Sequence, residues 1–281
     1  VQSVLEILKK TADYFAAKGV PEPRLDAEYL LASALGCKRL DLYLRFDEPL
    51  PESKLAPLRE AVRRRAKREP LQHILGSVDF FGITLKCDAR ALVPRRETEE
   101  MCELAAEKIL VSPESRAKIL DLGTGSGAIA LALASKFKCA EVSAADVSDD
   151  ALSLARENAE ALALPVKFFK SDWFENVGGK FDLIISNPPY LAAEEAESAQ
   201  PEVRDFDPRG ALVAPDGGMA DLKKILSRAR EFLEDGGSLV CECGLGQPEI
   251  LAREAVEKLG YSSAETAPDL SKRERFLICK K

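Results

Sequence analysis

Asn187-Pro188-Pro189-Tyr190 is the run in this chain whose residue types and order could do chemistry. It follows an apolar stretch, Phe181-Asp182-Leu183-Ile184-Ile185-Ser186, that reads as a buried strand. Neither proline can donate to a sheet ladder, so the strand must end there. Asn187 and Pro188 each precede a proline and are pushed toward extended geometry. A stiff turn at the strand's C-terminal end then carries an amide side chain, backbone carbonyls without helical partners, and an aromatic ring. Those are the parts that hold a planar –NH2 group. The Asn187 side-chain oxygen and the Pro188 carbonyl can accept its two hydrogens. The Tyr190 ring can lie on its flat face, leaving the nitrogen lone pair free to point at an electrophile. The same order can also serve only to stop a strand.

A second motif lies upstream. Ile119-Leu120-Asp121-Leu122-Gly123-Thr124-Gly125-Ser126-Gly127 joins a predicted strand to a predicted helix. Its glycines permit a tight turn and a close backbone approach to a ligand, and the N–H groups opening the helix favour a negative group. The spacing is Gly-x-Gly-x-Gly, not the dinucleotide Gly-x-Gly-x-x-Gly, so a carboxylate is as good a guest as a pyrophosphate. Asp146 ends the next strand at about the offset of a carboxylate that grips ribose hydroxyls. It could instead cap the following helix, a task Ser148 can also fill. Ser171-Asp172-Trp173-Phe174 follows the third strand and holds the chain's only tryptophan. Trp173 can flank an adenine ring with Asp172 accepting from the exocyclic amine, or simply cover the sheet edge.

Those residues need a scaffold, and the pattern supplies one. From Lys118 onward strands and helices alternate. Strands are predicted at 118–122, 141–145, 166–169, 181–186 and 238–243, with helices at 126–137, 149–162, 220–233 and 248–259. Two closing strands, 262–266 and 273–279, lack an intervening helix and predict an antiparallel pair at one edge. The class is α/β, a doubly wound, mostly parallel sheet. Residues 1–76 read as a small helical bundle, with helices near Val4–Phe15, Leu25–Leu35 and Leu55–Ala66. Residues 77–95 change character, and Val78 to Cys87 predicts a β-hairpin or extended connector. A helix from about Glu97 to Leu110 opens the larger domain, 96–281.

Composition narrows the function classes. The 281 residues carry a net charge of −7, with 46% hydrophobic and 31% charged residues. Residues 1–78 hold 14 Lys and Arg against 11 Asp and Glu, and the remainder 26 against 36. An acidic larger part is a poor match to a nucleic-acid backbone, and no direct nucleic-acid binding is expected. The basic run Arg63 to Arg68 reads as a solvated helix face. No apolar run approaches membrane-spanning length, and no signal-peptide pattern is visible. Seven scattered cysteines without framework spacing predict a reducing, cytoplasmic setting. His73 is the only histidine, which excludes a multi-histidine metal site and argues against a Ser-His-Asp triad. No metal site is expected.

Together these motifs resemble the class I methyltransferases that use S-adenosylmethionine, and more closely the release-factor glutamine N5-methyltransferases. The resemblance covers nearly the whole chain. It includes the helical N-terminal region, Pro70-Leu71-Gln72 through Leu75-Gly76, Phe80-Phe81-Gly82, Val93-Pro94-Arg95 with Glu97-Thr98-Glu99, the glycine turn, Asn187 to Tyr190, Glu202-Val203 with Asp207-Pro208, and Asp269-Leu270-Ser271. The Asn-Pro-Pro-Tyr motif alone is shared with adenine-N6 DNA methyltransferases, so the connector segment adds the specificity. His73, Asp79, Arg96 and Cys243 depart from the family's usual tyrosine, glutamate, proline and isoleucine.

The resemblance implies a seven-stranded sheet and a reaction. The methyl of S-adenosylmethionine passes to the side-chain amide nitrogen of the glutamine in the Gly-Gly-Gln motif of class 1 peptide release factors, leaving S-adenosylhomocysteine. It implies a cofactor site of Gly123, Thr124, Gly125, Ser126, Gly127, Asp146, Asp172, Trp173 and Asn187. The glutamine site is Asn187, Pro188, Pro189 and Tyr190, with Asn187, Pro188 and Tyr190 catalytic. A monomer is expected, with residues 1–76 docking the protein substrate. A DNA adenine methyltransferase would need a target-recognition region and basic grooves, and neither is visible. A ribosomal-protein glutamine methyltransferase would share the chemistry. An idle adaptor that senses S-adenosylmethionine is the alternative of a different class.

Overall fold

The computed structural model describes Gln2–Leu110, Ser112, Glu114 and Arg116–Lys281, which form two compact units. The first runs to Gly76 and takes in Gln200–Phe206; the second comprises Ser77–Ala199 and Asp207–Lys281. The hairpin connector thus packs with the second unit, and a short later segment packs with the first.

In the first unit, α1 (Val4–Ala17) opens on a capping box: the Glu6 N–H donates to Ser3 Oγ at 3.3 Å and the Ser3 N–H to Glu6 Oε2 at 3.0 Å. α2 (Pro23–Leu35), α3 (Glu52–Ala66) and α4 (Leu71–Leu75) follow, with a 3-10 turn at Arg39–Leu44. Leu8, Phe15, Leu30, Leu31 and Leu42 fill their common core.

The second unit begins with an antiparallel hairpin, β1 (Ser77–Phe80) and β2 (Ile83–Lys86). Then come α5 (Arg96–Ala105), continued as a π-turn at Ala106–Leu110, β3 (Lys118–Leu122), α6 (Ala128–Lys136), β4 (Glu141–Asp146), α7 (Asp149–Leu162), β5 (Lys167–Lys170) and β6 (Phe181–Ser186). A short α8 (Ala193–Ser198) precedes α9 (Pro201–Arg204), which belongs to the first unit. The chain resumes with α10 (Ala220–Phe232), β7 (Leu233–Glu242), α11 (Gln247–Lys258), β8 (Ser263–Pro268) and β9 (Glu274–Lys280).

The seven-stranded sheet has the order β5-β4-β3-β6-β7-β9-β8, and only β9 runs against its neighbours. β3 shows why both faces are apolar. Ile119 joins the core on one side, with Met101 and Leu131, and Leu120 the core on the other, with Ile184 and Leu226. The strand order reverses beside β3, so the ends of β3, β4, β5 and β6 open one crevice at the sheet's C-terminal edge. β7 starts earlier than its pattern predicts. It pairs Leu233 with Phe181, then slips, so that residues 234–237 bulge before Ser238 meets Leu183.

The basic run is not a simple solvated face. Arg63 faces outward and Arg64 is held by the Glu69 carboxylate, but Arg65 is 5% exposed and pairs with Asp26 at 2.6 Å and Glu202 at 2.8 Å. Arg68 reaches the same Glu202 at 2.6 Å. Two arginines therefore fasten Gln200–Phe206 to the helices. Among the described residues, no helix is long and apolar enough to cross a membrane.

Candidate active site

The crevice holds a cavity of about 460 Å³, within the range of small-molecule sites. Four strand ends supply much of its wall, and the segment before α5 and the loop before α10 supply more. β3 delivers Gly123, Thr124, Gly125 and Ser126; β4 delivers Asp146; β5 is followed by Asp172 and Trp173; and β6 leads into Asn187 and Pro189. Nine sequence-predicted residues thus meet around one space. Gly127 lies behind it, against Leu131 and Ala155, and Pro188 and Tyr190 are not among its lining residues.

Asp146 is the centre of the glycine-turn side. Its Oδ2 accepts the Gly125 N–H and its Oδ1 the Ser148 N–H, both at 2.9 Å. A carboxylate has further lone pairs, so it can still accept hydroxyls. Helix α7 is capped by Ser148, whose Oγ accepts the Ala151 N–H, which leaves Asp146 free of that task. Trp173 stands across the turn. Gly123 has φ +70°, a backbone conformation that favours glycine, and a methyl there would meet the indole at 3.4 Å, an ordinary contact. The indole N–H donates to Asp221 Oδ1 at 3.2 Å, which fixes the ring. Asp172 lines the cavity, but its Oδ1 is engaged by Lys224 at 2.7 Å.

The start of α6 also has an acceptor within the chain. The Ala130 N–H is already taken by Asp121 Oδ2, which also receives the Thr124 hydroxyl at 2.6 Å. One N–H in the first turn of α6 is therefore satisfied by a carboxyl of the chain itself. Burial pushes the Asp121 carboxyl up to about 7.

The diproline corner is braced by residues the sequence reading missed. Asn187 Nδ2 donates to Thr98 Oγ1 at 3.0 Å, and Thr98 donates to Glu242 Oε2 at 2.7 Å. Tyr190 donates its hydroxyl to Glu242 Oε1 at 2.9 Å and accepts from Arg275 at 2.8 Å. The Arg275 guanidinium also lies over the Tyr190 ring, 5.0 Å from its centroid. The ring expected against a substrate amide thus has one face covered and its tip bolted down. Burial beside Glu242 pushes the Tyr190 phenol up, so it stays protonated. The Tyr190 carbonyl receives Gln247 Nε2 at 2.9 Å, and Gly218 packs against the same oxygen. Arg95, also a wall residue, is held by the buried Asp207 at 2.5 Å.

The arrangement suits a nucleoside with a charged tail. A carboxylate waits for hydroxyls, an indole for a flat base, and the corner presents an amide oxygen. Asn187 reaches the same space, so a second substrate can meet the first there.

Comparisons with known proteins identify the family. A family model described as "PrmC N-terminal domain" matches residues 6–76, and one described as "Methyltransferase small domain" matches residues 102–202. Among curated relatives, the release factor glutamine methyltransferase of Geobacter sulfurreducens is 41% identical over 96% of this chain and 93% of its own. That of Chlorobaculum tepidum is 42% identical over 99% and 97%, and that of Deinococcus radiodurans 41% over 97% and 96%. Of solved structures, a methyltransferase from Pyrococcus furiosus superposes with a TM-score of 0.57 at 22% identity, over 78% of this chain and 98% of that one. A Thermus thermophilus 16S rRNA methyltransferase in complex with AdoMet and guanosine gives 0.53 at 21% identity, over 73% and 49%. These two share the fold. The near-full-length identity to the curated relatives decides the family: this chain belongs to the release factor glutamine methyltransferases, class I enzymes that use S-adenosylmethionine.

Proposed function

We propose that this protein methylates the side-chain amide nitrogen of the glutamine in the Gly-Gly-Gln motif of class 1 peptide release factors, with S-adenosylmethionine as donor. The observation that carries the reading is the Asn187 corner, which opens into the same cavity as the glycine turn and Asp146. The near-full-length likeness to enzymes named for that substrate supports it. When bound, S-adenosylmethionine supplies an electrophilic methyl on a sulfonium. Asp146 would take its ribose hydroxyls and Trp173 would flank its base.

An amide nitrogen is a poor nucleophile because its lone pair is delocalised. Asn187 Oδ1 and the Pro188 carbonyl accept the two hydrogens of the glutamine –NH2, so the nitrogen can pyramidalise with its lone pair toward the methyl. As the N–C bond forms and the S–C bond breaks, positive charge grows on nitrogen and both acceptors hold it more tightly. In-line placement supplies the rest. The N-methylated amide then gives its extra proton to water, so no histidine base is needed. Tyr190, clamped by Glu242 and Arg275, stiffens the corner that carries Asn187. The helical unit grips the protein substrate away from the reacting glutamine, which contributes remote binding energy. The seven free thiols suit a cytoplasmic setting.

Incubation with labelled S-adenosylmethionine and a purified release factor tests this. Label confined to the Gly-Gly-Gln peptide is expected. Label in a ribosomal protein or in DNA instead, or none on any substrate, would contradict it.

A further inference from the structure

Three side chains brought together from distant parts of the sequence control one choice at the corner. An asparagine amide has an oxygen that accepts and a nitrogen that donates, and the two ends are nearly the same shape. Only the oxygen suits a substrate –NH2. A flipped Asn187 would set one –NH2 against another.

Glu242 removes the ambiguity. It is 1% exposed and sits at the end of β7, behind the wall of the cavity. An ionised carboxylate only accepts. Its Oε2 takes the one hydroxyl proton of Thr98, at 2.7 Å. With that proton committed, the Thr98 oxygen can only accept, and it does so from Asn187 Nδ2 at 3.0 Å. The flipped amide would place the Asn187 oxygen against a lone pair of Thr98. Arg275, on the antiparallel strand β9, lies 3.5 Å from Oε1 and Tyr190 donates to the same oxygen, and both contacts favour the ionised form. Burial outweighs them and, with Glu97 on α5, raises the Glu242 carboxyl above its ordinary value, while the Thr98 hydroxyl it accepts pulls it back down.

We propose that Thr98 and Glu242 are positioning residues that fix the direction of the Asn187 amide, so that its oxygen faces the nitrogen to be methylated. This rests on the reading that Asn187 receives a substrate –NH2. Glu242 acts through Thr98, and Thr98 acts through Asn187.

The test compares Thr98→Val, Thr98→Ser and Glu242→Gln with wild type. Each is assayed for methyl transfer to a purified class 1 release factor, for affinity toward S-adenosylmethionine by calorimetry, and for Tm. Thr98→Val keeps the shape but loses the hydroxyl. It should lower kcat about tenfold to hundredfold while cofactor affinity stays within about twofold. Thr98→Ser keeps the relay and should restore kcat to within about threefold of wild type. Glu242→Gln can donate to Thr98, which reverses the relay, and should lower kcat with Thr98→Val. In an Asn187→Ala background, Thr98→Val should cost nothing more, because the residue it orients is gone.

Wild-type kcat in Thr98→Val would overturn the proposal. So would a Thr98→Ser variant as slow as Thr98→Val at unchanged Tm, a parallel loss of cofactor affinity, or a further loss in the Asn187→Ala background. Asn187→Ala alone separates the two levels. If it transfers methyl at the wild-type rate, the underlying reading falls and takes the relay with it. If it is inactive while Thr98→Val is fully active, only the relay falls.

Discussion

At the residue scale, what could be read in advance was the set of groups whose chemistry shows in a short window. Asn187 stood out because two prolines follow it, and Asp146 because it ends a strand at a fixed offset from the glycine turn. Thr98 and Glu242 could not be read that way. They lie 144 positions apart, and only the fold makes them neighbours. The one local sign was a glutamate at the end of an apolar strand run, where an acid has no reason to be unless something donates to it. Two substitutions test the named roles. Asn187→Ala should leave affinity for S-adenosylmethionine within about fivefold of wild type but reduce kcat at least about a hundredfold, measured by calorimetry and initial rates. Asp146→Ala removes the acceptor for ribose and unpairs the Gly125 and Ser148 N–H groups. Its dissociation constant for the cofactor should rise roughly tenfold to a hundredfold, one or two tenfold steps of about 1.4 kcal/mol. An unchanged value would remove Asp146 from the site.

Elements were legible where their ends carry chemical signals. α7 runs from Asp149 to Leu162 as its pattern predicts, because Ser148 caps it and its apolar face is periodic. The early start of β7 was hidden, since Glu234-Asp235-Gly236-Gly237 reads as a break and only pairing with β6 holds Leu233 in the sheet. The short helices α8 and α9 have too few residues to show a period. The corner itself depends on a contact between elements. Gly218, just ahead of α10, has φ +84°, and a Cβ there would stand 2.0 Å from the Tyr190 carbonyl oxygen. Gly218→Ala must therefore shift the loop that carries Asn187. We expect Tm to fall by roughly 3–10 °C and kcat by at least about tenfold, from calorimetric scans and initial rates. A variant with both unchanged would show that the corner tolerates displacement.

For the whole molecule, the alternation of strands and helices gave the doubly wound sheet and its closing antiparallel pair. It did not show that Gln200–Phe206 leaves the second unit to join the helices, because Glu202 is an ordinary charged residue until Arg65 and Arg68 are placed beside it. Stability of the whole should also register one buried acid. Asp121 is fully buried and its carboxyl is raised to about 7, so the folded state binds its proton more tightly than the unfolded chain does. A raised carboxyl stabilises the fold below the ordinary carboxylate range, near 4, and that contribution is lost as pH rises from about 4 through about 7. Asp121→Asn cannot ionise and should lack this slope. Paired urea melts should show wild type losing stability relative to Asp121→Asn between pH 4.5 and 7.5, by on the order of a few kcal/mol. A constant difference across that range would mean Asp121 does not titrate there.

The decisive observable is where one methyl group lands. Fragmentation mass spectrometry of a release factor after reaction with this protein and S-adenosylmethionine locates it directly. A single added methyl is expected on the side-chain nitrogen of the Gly-Gly-Gln glutamine, absent when Asn187→Ala replaces wild type. A methyl on any other atom, or the same mark laid down by Asn187→Ala at an undiminished rate, would contradict it.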